Sequence, residues 1–346
     1  MPHTGKWRLL VPTLLFAAVA SAHAEQAPTK PIAVTLDSFI RAETDRFFGL
    51  TVQRGGFAQF AHLRQLMPVD VATVVRPNRD TLYSTAVFDL DAGPVTVTMP
   101  DSGDRYMSLA VIDEDQQVLG VDYGAGRHTF SRQSVGTRYV MLGVRTLVDP
   151  ASTEDLKQVH ALQDAITLSQ PDGPGRFEPP SWDKASQDAL RQALLVLGRT
   201  VPDSRGMFGK RDVVDPVRHL VGSAIAWGGL PEKDALYDIV TPAHNDGSAV
   251  YRLSVKDVPV DGFWSVSVYD AEGNYRKNPA EAYTLNNLTA QKSADGSIAI
   301  QFGGCEAATS NCLPVMPGWN YMVRLYRPRA QVLDGSWTFP AAQPVR

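Results

Sequence analysis

A polar segment, residues 76–80, leads directly into an alternating run, residues 81–90, that is typical of a β-strand. Successive side chains of a strand point to opposite faces, so Tyr83 lies on the face opposite to the apolar one. We expect Asp80, at the mouth of the strand, and Tyr83 to line a cleft. There a carboxylate acts as a general base or a metal ligand. The alternative is that Asn78 and Asp80 only hold a turn through side-chain to backbone hydrogen bonds.

Two further residues complete a candidate catalytic set with Asp80 and Tyr83, namely His62 and Arg105. A histidine carries protons near neutral pH, and an arginine clamps a carboxylate or a carbonyl oxygen. In this interpretation Tyr83 and Arg105 orient the substrate or stabilise developing negative charge. The alternatives are that His62 lies on a helix at the edge of the core, and that Arg105 pairs with a neighbouring aspartate on the surface.

The candidate ligand-binding residues come from both halves of the chain: Asn78, Trp264, Tyr269 and Arg324. We expect them to face one another across an inter-domain cleft, a common place for ligands. Trp264 also fits a packing role, since it lies among apolar residues on a predicted strand. An enzyme requires the four candidate catalytic side chains to converge in one concavity. Their dispersal favours a binding or structural protein.

Familiar catalytic and metal-binding motifs are absent from the sequence. It has no G-x-S-x-G elbow, no H-E-x-x-H, no Walker loop and no G-x-G-x-x-G opening a helix. The spacing of histidines and carboxylates does not support a metal site, and no cofactor is identified. The two cysteines, Cys305 and Cys312, lie in one loop, and an oxidising compartment favours a disulfide between them.

The first 24 residues have the composition of an export signal. Lys6 and Arg8 precede an apolar run, residues 9–20, and small residues precede a cleavage position at Ala24. We expect a soluble protein in the periplasm or secreted, because no later segment approaches the roughly 20 apolar residues that span a bilayer. The formal net charge is −4, and the chain after residue 24 has no basic block. Nucleic acid is therefore not an expected partner.

The hydrophobic pattern predicts mainly β-structure with a helical connector. After the signal, residues 1–24, we expect an N-terminal β-domain with a leading helix, residues 25–148, and a connector with three helices, residues 149–237. Alternation returns in a C-terminal β-domain, residues 238–346. The expected fold is two antiparallel, jelly-roll-like β-sandwich domains with about four helices.

Several of these segments resemble known families. The run from Pro77 to Ser84, followed by Asp89 and Leu90, resembles the signature of domain-of-unknown-function family 1254. Residues 59–62, 100–106 and 227–237 resemble the same family. The last hundred residues resemble its usual companion, family 1214, through Phe263, Trp264, Ser265, Tyr269, Asn278, Asp295, Gly296, Ser297, Asn311, Leu313, Pro314, Arg324, Leu325 and Tyr326. Where family 1214 usually has a tryptophan before Leu313, this chain has Cys312, so a pocket-lining role of that position does not carry over.

The resemblance implies a secreted or envelope-associated bacterial protein of two β-domains, and it implies no settled reaction. We therefore expect an exported soluble protein that binds, and hydrolyses or otherwise converts, a small polar molecule in an inter-domain cleft. The alternative is a non-enzymatic periplasmic protein, either for ligand binding or for envelope assembly, whose signature residues are structural. A homo-oligomer is compatible with either interpretation.

Overall fold

The computed structural model of the protein describes residues 1–3, 5, 30–70, 74–307 and 310–345. The export signal predicted for residues 1–24, with its cleavage near Ala24, lies outside this range except for residues 1–3 and 5, and it stays a prediction. Among the described residues, no helix combines the length and the apolar character needed to cross a membrane.

The N-terminal half is built on two antiparallel sheets. The larger sheet has five strands in the spatial order β1 (Ala61–His62), β2 (Thr81–Asp89), β7 (Tyr139–Leu147), β4 (Met107–Asp113) and β5 (Val118–Tyr123). The smaller sheet has the order β6 (Gly126–Phe130), β3 (Val95–Met99) and β8 (Thr167–Ser169). Alternate residues of the larger sheet, among them Phe88, Leu109 and Leu142, pack with Val95 and Val97 into one core.

Three helices cover part of the opposite face of the five-stranded sheet, namely α1 (Phe39–Gln53), α4 (Lys184–Gly198) and α5 (Pro216–Ile225). Their apolar stripes pack against the sheet in a second core that includes Phe39, Phe48, Met141, Leu194 and Val221. The other two helices, α2 (Arg132–Val135) and α3 (Thr153–Asp164), contribute Val135 and Leu162 to the core between the two sheets. Four of the five begin at a residue whose side chain accepts a hydrogen bond from a backbone N–H of the first turn, namely Ser131, Ser152, Asp183 and Asp215.

The C-terminal half is a second sandwich. One sheet has the order β12 (Thr284–Asn286), β11 (Trp264–Tyr269), β15 (Asn320–Tyr326) and β9 (Ala235–Val240). The other has the order β14 (Cys312–Leu313), β13 (Ile298–Phe302), β10 (Tyr251–Val255) and β16 (Gln343–Pro344), and α6 (Ala330–Leu333) lies between β15 and β16 in the chain. All pairs are antiparallel except β13 with β14. Trp319, Tyr321 and Phe302 fill the core between the sheets, and the expected Cys305–Cys312 disulfide is confirmed.

The predicted fold class is confirmed, with local differences. Strands β5 and β6 are not predicted from the sequence, because the segment 118–130 has three glycines and little alternation. The helical spacing of apolar residues from Thr153 to Leu168 predicts a helix over that range, but α3 ends at Asp164 and residues 167–169 form β8. The alternation of residues 336–339 predicts a strand, but among the described residues none is formed there, and Trp337 and Phe339 pack against the C-terminal core instead. The expected domain boundary between residues 237 and 238 falls within β9.

The two halves meet face to face. The uncovered part of the five-stranded sheet lies against the outer face of the sheet containing β11, β15 and β9. A shared apolar cluster joins them, in which Phe263 stacks on Tyr326 with ring centroids 4.1 Å apart and Tyr106 meets Tyr326 at 5.3 Å. The segment 74–78 runs between the halves, so the polar residues that lead into β2 lie at this interface.

Candidate functional site

Each of the two facing sheets contributes an arginine directly opposite a tyrosine. In the N-terminal sheet, Tyr83 of β2 is the register partner of Arg145 of β7. In the C-terminal sheet, Tyr237 of β9 is the register partner of Arg324 of β15. Directly opposed side chains of antiparallel strands lie on the same face, so each pair projects as a unit toward the other sheet.

These two pairs line a cavity of about 110 Å³ between the halves, which we name the basic chamber. Its wall is formed by Val74, Val75, Arg76, Pro77, Asn78, Tyr83, Arg145, Ala226, Trp227, Gly228, Gly229, Tyr237, Met322, Arg324 and Tyr326. Among the residues that the structure describes, the wall therefore contains three guanidinium groups and three phenols, and no carboxylate.

Arg145 is buried without a countercharge. Arg145 is only 9% exposed, and its Nη2 donates to the carbonyl oxygen of Gly228 at 2.5 Å. Its guanidinium carbon lies 5.6 Å from the centroid of the Tyr83 ring. Among the described residues, no carboxylate oxygen lies within 4.0 Å of an Arg145 nitrogen. A guanidinium removed from water in this way is costly unless an anion accompanies it.

Arg324 is buried more deeply and is better bonded. It donates from Nη1 to Ser267 Oγ at 2.9 Å, and from Nη2 to Tyr269 Oη at 2.6 Å and to the carbonyl oxygen of Arg76 at 2.9 Å. Arg76 has a φ of 51°, so its carbonyl is held by a strained backbone. Tyr269 in turn donates to the carbonyl oxygen of Pro77 at 2.8 Å. These bonds fix Arg324 against the segment that connects to β2.

Asn78 orients the phenols of both sheets. Its Oδ1 accepts from the backbone N–H of Asp80 at 2.9 Å, which leaves Nδ2 facing Thr81 Oγ1 at 3.0 Å, Tyr83 Oη at 3.1 Å and Tyr326 Oη at 3.4 Å. Since Nδ2 carries two hydrogens and only donates, a phenol oxygen that bonds to it acts as the acceptor. The phenol O–H hydrogens are therefore available to other acceptors, including a bound anion.

Tyr237 and Tyr326 remain neutral donors at neutral pH. Burial raises the pKa of Tyr237 above its ordinary value of 10, although the charges of Arg145 and Arg324 oppose this effect. Burial and the neighbouring Tyr237 and Tyr83 raise the pKa of Tyr326 in the same way. The chamber consequently offers protonated phenols and positive guanidinium groups together.

Asp80 lies behind the chamber wall and not in it. Asp80 is 1% exposed. Its Oδ1 accepts from Asn286 Nδ2 at 3.0 Å and from Thr284 Oγ1 at 3.3 Å, so Asp80 connects the start of β2 to β12. Its Oδ2 is buried without a hydrogen-bond partner among the described residues. Burial raises the pKa of Asp80, while the charge of Arg324 acts in the opposite direction. Asp80 is thus the carboxylate that balances Arg324 across the interface.

A second cavity of about 180 Å³, which we name the apolar chamber, adjoins the basic chamber. The two share Asn78, Tyr83, Arg145, Trp227 and Gly228, besides Val74 and Pro77. The rest of its wall is mostly apolar and consists of Phe47, Leu50, Thr51, Arg54, Leu63, Met67, Thr85, Ala110, Ile112, Met141 and Gly143. Trp227, stacked on Phe47 with centroids 4.3 Å apart, forms part of the boundary.

The predicted convergence of His62, Asp80, Tyr83 and Arg105 is not seen. Tyr83 lines both chambers, but His62 lies on β1 and not on a helix, and its Nδ1 bonds Ser84 Oγ at 2.7 Å on the opposite face of β2 from Tyr83. Burial, together with the charge of Arg64, lowers the pKa of His62 below 6.5.

Arg105 is occupied by an ion pair away from both chambers. It donates from Nη1 and Nη2 to the Asp155 carboxylate, at 3.0 and 2.5 Å, and from Nη1 to the carbonyl oxygen of Leu147 at 2.7 Å. The partner is therefore an aspartate of α3 and not Asp101 or Asp104, the sequence neighbours considered above.

The four predicted ligand-binding residues divide into three positions. Asn78 and Arg324 line the basic chamber, and Tyr269 supports Arg324 from behind. Trp264 lies in the C-terminal core, 5% exposed, with its ring centroid 5.5 Å from that of Phe339. Trp264 thus has the packing role that the sequence left open.

Sequence reasoning missed Arg145, Tyr237 and Trp227 as lining residues. Arg145 is the single charged residue of its strand and lies two positions after Gly143. The sequence pattern predicts a strand over residues 138–144, so Arg145 is expected just outside it. Trp227 lies in a loop whose course depends on Gly229, where an added Cβ would lie 2.3 Å from the Phe208 ring.

Among the described residues, no group of three or more His, Cys, Asp or Glu side chains is arranged to hold a metal ion. The guanidinium and phenol groups that line the basic chamber recognise negative charge.

Comparison with known proteins confirms the predicted pair of families. Residues 57–135 match the family model described as protein of unknown function (DUF1254), and residues 241–330 match that described as protein of unknown function (DUF1214). Tyr83 falls within the first match, and Arg324 and Tyr326 fall within the second. No curated protein matches the chain.

Two solved structures are similar in fold. The VPA0106 protein from Vibrio parahaemolyticus is 19% identical, with a TM-score of 0.65 over 90% of this chain and 98% of that protein. An uncharacterized protein from Burkholderia cenocepacia is 14% identical, with a TM-score of 0.52 over 90% of this chain and 88% of that protein. At these identities the similarity concerns the fold alone.

Proposed function

We propose that the protein binds a small organic anion, a carboxylate, in the basic chamber between its two β-sandwiches. The observation that carries this proposal is Arg145, a buried guanidinium with no carboxylate within 4.0 Å among the described residues. Removing a cation from water without an anion is unfavourable, so a chamber of this composition favours a negatively charged occupant.

The geometry suits a carboxylate. A guanidinium presents its N–H groups as a planar fork that matches the two carboxylate oxygens, and such charge-assisted hydrogen bonds are stronger than neutral ones. Arg145 approaches from the N-terminal sheet, and Tyr326 and Tyr237 from the C-terminal sheet. The ligand would thus be held by donors from both halves of the molecule.

Binding is favoured over proton-transfer catalysis because of where the predicted acid and base lie. His62 faces away from the chamber, and Asp80 is bonded to Asn286 and Thr284 behind its wall. A general base must lie within hydrogen-bond reach of the proton that it removes. The non-enzymatic ligand-binding alternative is therefore the better supported of the two functions expected from the sequence.

The test is calorimetric titration of the purified protein at pH 7 with a panel of monocarboxylates, including hexanoate and benzoate. We expect at least one to bind, and we expect Arg145→Met to weaken it by about tenfold to a hundredfold, the range for a charge-assisted hydrogen bond. Arg252→Met is the control, because this arginine is exposed on the distant sheet and bonds Gln301. Unchanged affinity in Arg145→Met, or no binding by the native protein, would refute the proposal.

A further inference from the structure

We infer that the ligand is an amphiphile, a carboxylate with an apolar tail, and that Gly143 sets the length of tail that the protein accepts. The inference rests on the proposed anion site and extends it into the apolar chamber. The head binds Arg145 in the basic chamber, and the tail lies along Phe47, Ile112 and Met141 in the apolar chamber.

The two chambers are continuous with each other. Arg145, Tyr83 and Trp227 line both of them, so an anion at Arg145 lies at the mouth of the apolar chamber. A ligand small enough to be only a head group would leave about 180 Å³ of largely apolar cavity unfilled. Apolar cavities of this kind take up apolar groups readily, since they hold water poorly.

The wall of the apolar chamber has the chemistry to hold an apolar tail. Side chains from α1, β4 and β7 meet there, among them Leu50, Ile112 and Met141. Each methylene group moved from water into such surroundings gains enough free energy to tighten binding about threefold to fourfold. The wall therefore distinguishes a carboxylate with a tail from formate or acetate, which the basic chamber alone does not.

Gly143 leaves the path of the tail open. It lies in the interior of β7, opposite Thr85 and Ala110 in the neighbouring strands, and all three line the apolar chamber. A Cβ added at residue 143 would meet no atom within 4 Å, so the space is open because this residue has no side chain. Glycine weakens a strand interior and often marks the close approach of a ligand. A larger residue at this position would project into the path of the tail.

The experiment compares saturated monocarboxylates of two to ten carbons and the matching primary alcohols. Dissociation constants are measured by ligand-detected NMR for the weak members and by calorimetry for the tight ones. For the native protein we expect affinity to rise about threefold per carbon and then level off, with each acid at least tenfold tighter than its alcohol.

Gly143→Leu is expected to abolish the rise with chain length while keeping the affinity for the shortest acids within about twofold. The matched control is Gly120→Leu, also a strand glycine with no atom within 4 Å of an added Cβ, which lines neither chamber. It is expected to keep the native length dependence. If Gly143→Leu fails to fold, Gly143→Ala replaces it, with an expected shortening of the preferred tail by one or two carbons.

The outcomes separate the two proposals. Acids that bind the native protein with equal affinity at every length leave the anion site standing and overturn the amphiphile. A length dependence that persists in Gly143→Leu also overturns it, because the tail then lies elsewhere. Failure of every acid to bind the folded native protein overturns the anion site, and the amphiphile with it.

Discussion

At the scale of single residues, the two arginines of the basic chamber are unequal despite their similar placement. Arg324 is hydrogen-bonded to Ser267, Tyr269 and the segment before β2, and it interacts electrostatically with Asp80. Arg145 has the phenols around it and one carbonyl as its hydrogen-bond partner. Arg324 thus builds the chamber, and Arg145 is the group left to meet a ligand.

This difference predicts that the free energy of unfolding responds differently to removal of the unpaired Arg145 and of a paired arginine, Arg105. Without ligand, we expect Arg145→Met to keep the free energy of unfolding within about 1 kcal/mol of the native value or to raise it, since an uncompensated buried charge is removed. Arg105→Met should lower it by about 1–3 kcal/mol, because Asp155 and the Leu147 carbonyl lose their donor. Urea denaturation at pH 7 measures both.

The same two variants also define the result that would contradict this prediction. If Arg145→Met is destabilised more than Arg105→Met, Arg145 is a structural residue and its burial says nothing about a ligand. Arg105 is the appropriate comparison because its guanidinium outweighs the effect of burial and holds the pKa of Asp155 below its ordinary value.

The sequence predicted part of the site for a physical reason. Asn78 and Tyr83 could be placed because they belong to one continuous segment, in which alternation alone assigns the faces. His62 could not, because its direction depends on how β1 pairs with β2, opposite Ser84. The pairing of Arg145 with Tyr83 likewise depends on the register between two strands, and these residues are 145 − 83 = 62 positions apart, so no local pattern reports it.

At the scale of elements, α1 carries a buried acid, Asp45, that links it to the segment preceding α4. Asp45 Oδ2 accepts from Trp182 Nε1 at 2.8 Å, and Oδ1 is buried without a partner among the described residues. Burial raises the pKa of Asp45 to about 6, and the neighbouring charge of Glu114 adds to the effect. In the unfolded chain the value is about 3.9.

Asp45 is therefore expected to make the protein less stable as the pH rises. Between about pH 4 and pH 6 the native state holds a proton that the unfolded state has lost, so this contribution is complete below pH 4 and disappears through pH 6. Asp45→Asn, which keeps an acceptor for Trp182, should raise the free energy of unfolding at pH 7 by about 1–3 kcal/mol and have no effect at pH 4.

Urea denaturation at pH 4, 5.5 and 7 measures this effect, with the exposed Asp37→Asn as control. An equal gain at all three pH values would contradict the assignment, because it would then not arise from ionisation.

Among the elements, the sequence predicted α1, α4 and α5 well because each has a strong helical period. It missed β5, β6 and β8 because these short strands are defined by their partners and not by their own pattern.

At the scale of the whole molecule, the chamber exists only when the two sandwiches are in contact. Tyr83 and Arg145 belong to the N-terminal sheet, whereas Tyr237, Arg324 and Tyr326 belong to the C-terminal one. The aromatic cluster of Tyr106, Phe263 and Tyr326 and the bonds of Asp80 to β12 hold the faces together. A ligand in the chamber therefore stabilises the contact between the halves.

This coupling predicts the pattern of hydrogen exchange on ligand binding. A carboxylate at a hundred times its dissociation constant should slow exchange by up to about a hundredfold in β2, β7, β9 and β15, for openings that separate the two faces. Strands β10 and β13, on the far sheet, should change little. Exchange measured by mass spectrometry tests this, with Arg145→Met as the variant expected to show no slowing. Protection confined to one half would contradict a site shared by both.

The unbalanced charge of Arg145 also has an evolutionary consequence. A residue that raises the free energy of the folded protein when its ligand is absent persists only under selection for that ligand. In a lineage that no longer meets the ligand, replacement of Arg145 by methionine or leucine becomes neutral or advantageous, whereas Arg105 stays constrained because Asp155 needs it. The order in which related proteins lose these two arginines therefore indicates whether ligand binding has been retained.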